Sequence, residues 1–363
     1  LLLHPRGALR RLRREEERRM TLDHGGGTSV RPETAPIGRP LAVSVAPLET
    51  RRETLLHVVE VADRLGYDAF LLPEAWSYDS TVLLAEAAMR TRRIRLGTGI
   101  LSVWSRTAGT IAMAASTLHA VSGGRFLLGL GASTAQLTEG LHDVPFRAPV
   151  ARVRRVVTQV RALLRGERIP LAVAANARPL RLGQGPVPEV PIYMAALAPA
   201  SVRLAGEMAD GWLPFLFPRS RIQDGLRLLR EGAARSDPDR SIRICPTIPT
   251  AVADNGGDAR ERAVWFLAFY LASMGELYRG TLARLGYGAE VEAVLSANPP
   301  RTPPVLPRNA EGLLDQLTIF GKADAARGRL AAWYAAGATM PVLLLAPDLT
   351  HAQIERTLRA FRE

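Results

Sequence analysis

A chain of 363 residues that is 47% hydrophobic and 23% charged can bury a large core without disulfide or metal staples. Its single cysteine, Cys245, excludes an intrachain disulfide and a cysteine-based zinc site, and suits a reducing cytoplasm. The net charge of +12 is nearly all arginine, because Lys322 is the only lysine, and it is spread along the chain without a nucleic-acid-binding motif. Nucleic acid is therefore not expected as a partner, although the positive field would favour an anionic ligand.

Residues 1–39 read as a mobile N-terminal extension. They hold the Gly25-Gly26-Gly27 run with Pro32 and Pro36, and no apolar core of signal-peptide type. From 40 to 363 a single domain is expected. Short apolar, β-branched runs at 41–46, 68–74, 94–101 and 125–131 predict four strands. Segments at helical spacing over about 51–65, 79–91 and 107–121 separate them. The second half repeats the rhythm, with strands at 191–196, 211–216, 242–252 and 340–346. Its helices are expected at 150–164, 199–208, 220–234, 257–286, 323–336 and 350–362. The apolar stretch 263–275 is too short to cross a bilayer, which takes ~20 residues. Membrane insertion is therefore not expected.

Eight strands alternating with helices predict an α/β fold of parallel βαβ units. The turn after the first strand reads APLETRRE, without the dinucleotide fingerprint GxGxxG. A (β/α)8 TIM barrel is therefore preferred to an open doubly wound sheet, with insertions after strands four and seven and before strand five. Barrel chemistry gathers at the C-terminal ends of the strands.

Those ends supply the candidates. After strand two, PEAWSYDS places Glu74 and Trp76 together: Trp76 either walls a pocket or packs a loop, and Glu74 either acts on a ligand or pairs with an arginine. Strand three ends in Gly97-Thr98-Gly99, which points to a bulge with close backbone approach to a ligand. In that reading a Cβ at Gly99 would intrude on a bound ring. After strand four, Ser133 and Gln136 can donate to an anion or a ring carbonyl, and His142 is an acid–base candidate. After strand five, Ala196, Leu197 and Ala198 lead into Pro199 at a helix start, the best phosphate seat in the sequence. No HExxH, Walker or GxSxG motif is present, and the six histidines show no metal-ligand spacing, so no metal is expected.

The run RTRRIRLGTGILSVWSRTAGTIAMAASTLHAVSGGRFLLGLGAS (90–133) resembles the luciferase-like monooxygenase superfamily, especially its F420-dependent oxidoreductases. So do GYDAFLLPEAW (66–76), EGLHDVPF (139–146), VPIYMAALAPASVRLAGEMADGWLP (190–214) and FGKADAARGRLAAWYAAGA (320–338). The resemblance implies a deazaflavin or flavin at the barrel mouth. It implies a bulge with a non-prolyl cis peptide at Gly99-Ile100 behind the ring, and Thr98 beside it. It also implies a phosphate turn at Ala196, Leu197 and Ala198, although many relatives have glycine at the last position.

In the sugar-phosphate dehydrogenase branch, a catalytic histidine and glutamate occupy places held here by Ala75 and Thr134. The resemblance therefore implies a reductase that passes hydride from reduced coenzyme F420 to an activated C=C, C=N or C=O of a small organic molecule. A separate F420-reducing enzyme would be the hydride source, and a homodimer is open. The alternatives are an FMN-dependent two-component monooxygenase and a barrel that binds a flavin-like ligand without turnover.

Overall fold

The computed structural model describes residues 38–362 apart from 175, 300 and 301. All but the last two residues of the expected extension lie outside the described residues. The strands are β1 Ala42–Val45, β2 Ala69–Leu72, β3 Arg95–Thr98, β4 Leu101–Ser102, β5 Phe126–Gly131 and β6 Ile192–Met194. They continue as β7 Gly211–Trp212, β8 Arg243–Ile244, β9 Thr247–Val252, β10 Ile319–Gly321 and β11 Val342–Leu345. Every strand pairing is parallel. β1, β2, β5 and β11 are buried throughout, which explains why they read as continuous apolar runs rather than alternating ones.

Two pairs of these strands are halves of one barrel strand. β3 and β4 are split at Gly99-Ile100, and β8 and β9 at Cys245-Pro246, where proline withholds a donor from the ladder. β8 pairs with β7, β9 pairs with β11, and β11 pairs with β1, so the parallel sheet returns to its start. Counting each split strand once gives the expected eightfold order. β10 was not anticipated; it pairs with the outer part of β9, at Thr250 to Val252, outside that circuit.

The helices are α1 Arg52–Arg64, α2 Ser80–Arg90, α3 Ala108–Val121, α4 Ala135–Gly140, α5 Pro149–Leu164, α6 Pro199–Met208 and α7 Ile222–Ala233. After β9 come α8 Gly256–Ser273, α9 Glu276–Leu282, α10 Gly288–Ala297, α11 Glu311–Leu317, α12 Ala323–Ala335 and α13 His351–Arg359. α5 shows the logic of the outer ring: proline opens it, and Val153, Val156, Val157, Val160 and Leu164 recur on its buried face. α13 begins with a reciprocal Thr350–Gln353 capping box.

The single helix expected over 257–286 is in fact α8, α9 and a π turn at Ala283–Tyr287. The break falls at Gly275, whose φ of 83° ends α8 in a way a side chain would resist. Among the described residues no helix is long and apolar enough to cross a membrane, and no group of histidine, cysteine or carboxylate side chains could hold a metal. Cys245 is buried in the barrel, and burial pushes its thiol up to about 12.

Candidate active site

A cavity of about 820 Å³ opens at the C-terminal ends of the strands, within the range expected for a small-molecule or cofactor site. Its floor is the β3–β4 bend. Gly97 pairs with Leu127 and Leu101 with Leu130, so four steps on one strand face three on β5, which is a bulge. The Gly99-Ile100 peptide is cis, as the resemblance implied. The bend is tied to β2, because Gly99 N donates to Leu72 O (2.8 Å) and Glu74 N to Ile100 O (3.3 Å). Gly131 leaves room for Ile100: a Cβ on Gly131 would stand 3.1 Å from Ile100 Cδ1.

One expectation at this bend is corrected, and another gains a second cause. A Cβ on Gly99 would meet Leu71 Cβ at 3.0 Å, so the neighbouring strand also limits the space at this cavity-bordering glycine. Thr98 does not border the cavity. Its side chain is fully buried, donating to Gly129 O (2.8 Å) and accepting from Gly129 N (2.9 Å), and so clamps β3 to β5.

Glu74 and Trp76 both border the cavity. The Glu74 carboxylate is engaged, accepting from Ser80 N (3.1 Å), Ser80 Oγ (3.2 Å) and Arg106 Nη2 (2.8 Å). Arg106 also meets Asp79 at 2.8 Å, and Asp79 caps α2 through Thr81 N. Glu74 thus fastens the loop after β2 to the loop after β4, the pairing left open by the sequence. Burial opposes the charge on Asp79, but hydrogen bonds from Thr81 and Arg106 and the nearby guanidinium outweigh it and hold its carboxyl below the ordinary 3.8.

A depressed carboxyl pKa gives stability that is complete above the unfolded value and is lost as pH falls through the folded one. Arg106→Met is therefore expected to lower Tm at neutral pH and to flatten the acid limb below about pH 4. Breaking a fully buried pair costs 3–5 kcal/mol, and the half-exposed Asp79 reduces that to roughly 2 kcal/mol, or about 3 °C for a domain of this length. Scanning fluorimetry from pH 3 to 7 measures both effects; superimposable profiles would remove Arg106 from this role.

At the end of β5, Ser133 and Gln136 border the cavity, and Thr134 caps α4 by accepting from Leu137 N (3.3 Å). Ser133 adopts φ 58°, an unfavourable value for a side-chain-bearing residue and one that clusters at functional sites. His142 does not border the cavity; its neighbour Leu141 takes that place. At the end of β6, Ala196, Leu197 and Ala198 border it beside the first turn of α6, whose N–H groups lack intrahelical partners. The turn is held from beneath by the buried Trp212, whose Nε1 donates to Ala196 O (2.8 Å). Ala198 has φ −78° and ψ 147°, an ordinary extended conformation, so alanine serves where relatives have glycine.

Sequence reasoning missed the far wall. Phe269, Tyr270 and Met274 of the α8 end, Tyr278 of α9, Phe215 after β7 and Phe146 before α5 all border the cavity. The signal available was the apolar stretch around 263–275, which the sequence placed in a helix, as a run too short to cross a membrane, but not at the cavity. The α8–α9 corner reaches α4: a Cβ on Gly275 would lie 3.6 Å from Gln136 Oε1. No lysine, arginine or histidine lines the cavity, among the described residues, and Glu74 is its one carboxylate.

A parallel barrel with a largely apolar, flavin-sized cavity at its strand ends, whose one carboxylate is already engaged and which no imidazole or amine lines among the described residues, is the kind of site that suits a bound cofactor. The sequence model of the luciferase-like monooxygenase family matches residues 34–340. The chain belongs to that family, and so to a class of oxidoreductase enzymes. It is 32% identical over 317 residues to a provisionally named coenzyme F420-dependent oxidoreductase of Mycobacterium tuberculosis (strain ATCC 25618 / H37Rv), covering 79% of this chain and 89% of that protein. Its fold is similar to that of the coenzyme F420 dependent tetrahydromethanopterin reductase of Methanopyrus kandleri. The TM-score is 0.69 at 20% identity, over 89% of this chain and 98% of the other. It is also similar to the oxygenating constituent of 3,6-diketocamphane monooxygenase of Pseudomonas putida, solved with FMN. There the TM-score is 0.68 at 17% identity, over 90% and 97% of the two chains.

Proposed function

We propose that this protein is a coenzyme F420-dependent reductase that passes hydride to an activated C=C, C=N or C=O of a small organic substrate. The observation that carries the reading is the lack of a free carboxylate or imidazole base at the cavity. Ala75 and Thr134 border it where dehydrogenases of the resembling family carry their histidine and glutamate, and the Glu74 carboxylate is held by Arg106 and Ser80. Oxidation of an alcohol needs a base for the hydroxyl proton; hydride delivery to an electron-poor double bond leaves an anion that solvent can protonate once the product departs.

The residues present fit a deazaflavin. The Gly99-Ile100 bend offers a flat backbone surface, and the turn 196–198 with the first N–H groups of α6 suits a phosphate. Ser133 and Gln136 supply side-chain hydrogen bonds near the mouth. When bound, the coenzyme supplies the hydride; the protein's part is to orient the substrate and exclude water. Elements outside the eightfold frame border the cavity and supply that exclusion: α4 on one side, the end of α8 and α9 on the other. A separate F420-reducing enzyme, a cytoplasmic location and a homodimer complete the reading. Exposed Val82 and Met89 on α2 and Met113 on α3 would suit such self-association.

Micromolar or tighter binding of F420 is expected, with FMN at least about tenfold weaker, a difference of 1.4 kcal/mol. Quenching of intrinsic tryptophan fluorescence measures both. Tighter FMN binding would overturn the coenzyme assignment and favour a two-component monooxygenase.

A further inference from the structure

We propose that Tyr270 and Tyr278, with Phe215, form a subsite for an uncharged, largely apolar substrate whose carbonyl oxygen accepts a hydrogen bond from a phenol. This rests on reading the cavity as the active site and deepens the reductase proposal by naming a substrate class.

The three rings come from separate parts of the chain and meet edge to face. Phe215 stands 5.1 Å from Tyr270 at 82° and 5.3 Å from Tyr278 at 84°, and the two tyrosines are 6.0 Å apart at 70°. Phe266 stacks behind Tyr270 at 4.6 Å and fixes its ring. Tyr270 is only 2% exposed and borders the cavity, as does Tyr278. Among the described residues neither hydroxyl has a hydrogen-bond partner in the protein, and neither is among the fully buried unpartnered side-chain atoms, so each is open to water or a ligand. A phenol on an apolar wall with no protein partner keeps its O–H free to donate to a ligand acceptor that takes the place of water.

Burial raises both phenols, Tyr278 to about 12, so each stays protonated and able to donate at neutral pH. Phe269 and Met274 continue the apolar wall. With no lysine, arginine or histidine lining the cavity, a carboxylate or phosphate on the substrate would be desolvated without a counter-ion.

The test uses two compounds of nearly equal shape, the ketone benzylideneacetone and the anion trans-cinnamate. Each is titrated calorimetrically into the full chain with and without F420. The ketone is expected to bind at least about tenfold more tightly than the anion. Tyr270→Phe or Tyr278→Phe should weaken ketone binding about three- to tenfold with Tm unchanged, and leave F420 affinity alone. Equal or tighter binding of cinnamate, no ketone binding in either state, or wild-type ketone affinity in both variants would overturn the subsite. Tyrosine-dependent ketone binding in a protein that fails to bind F420 would support the subsite and overturn the coenzyme assignment instead.

Discussion

Gly129→Ala is expected to lower Tm by about 4 °C, corresponding to roughly 3 kcal/mol, and to weaken coenzyme binding with it. The residue lies in the middle of β5, where glycine has no conformational advantage, so the reason for it is space. A Cβ there would stand 2.0 Å from Thr98 O and 3.2 Å from Ile100 Cγ2. The first of these is backbone and cannot swing aside. Relief would require β3 and β5 to separate, but Thr98 Oγ1 joins them through both polar groups of Gly129. Separation would break that clamp and shift the bend that floors the cavity. Overpacking ordinarily costs 1–3 kcal/mol, and the upper end applies when the obstructing atom is a carbonyl held in a ladder. Gly328→Ala on α12 is the control. Nothing lies within 4 Å of a Cβ there, and alanine favours a helix by up to about 1 kcal/mol. A Gly129→Ala protein with wild-type Tm would show that the clamp gives way easily.

The same clamp shows what a sequence can and cannot reveal. Gly97, Thr98 and Gly99 were legible as a bulge because glycines at a strand end have few other uses. Which way each side chain points was not legible, since a bulge resets the alternation of a strand. Thr98 therefore turns to β5, and the space at Gly99 is limited by Leu71. The eight strands were legible because parallel barrel strands, buried on both faces, leave unbroken apolar runs such as 126–131. The three residues of β10 leave no comparable run. The Glu74–Arg106 contact spans 32 positions in sequence and follows from adjacency in the barrel, not from local spacing. The aromatic wall was hidden for a related reason. Tyr270 and Tyr278 face one cavity only because Gly275 breaks the helix between them, and Phe215 joins them from β7.

Trp76→Ala is expected to slow single-turnover oxidation of the reduced coenzyme by roughly tenfold or more, with coenzyme affinity changed less than that. Trp76 is 42% exposed yet borders the cavity, so one side of its ring faces solvent and its loss opens no sealed core. Fold stability should therefore change little. Its loop is set firmly, because Glu74 is bonded to Arg106 and Ser80 and Asp79 caps the following helix. A large ring on a fixed loop restricts how a substrate can lie without consuming entropy at each encounter. Removing it widens the cavity on one side, and misplacement near a reacting centre can cost about 100-fold in rate. In the proposed site the coenzyme would keep the turn 196–198 and the floor at Gly99-Ile100, which lie on other strands than the Trp76 loop. Stopped-flow measurement with a ketone accepted by the enzyme gives the rate, and fluorescence titration gives the affinity. Equal rates in the two proteins would return Trp76 to packing the loop after β2. A parallel loss of rate and affinity would instead place it against the coenzyme itself.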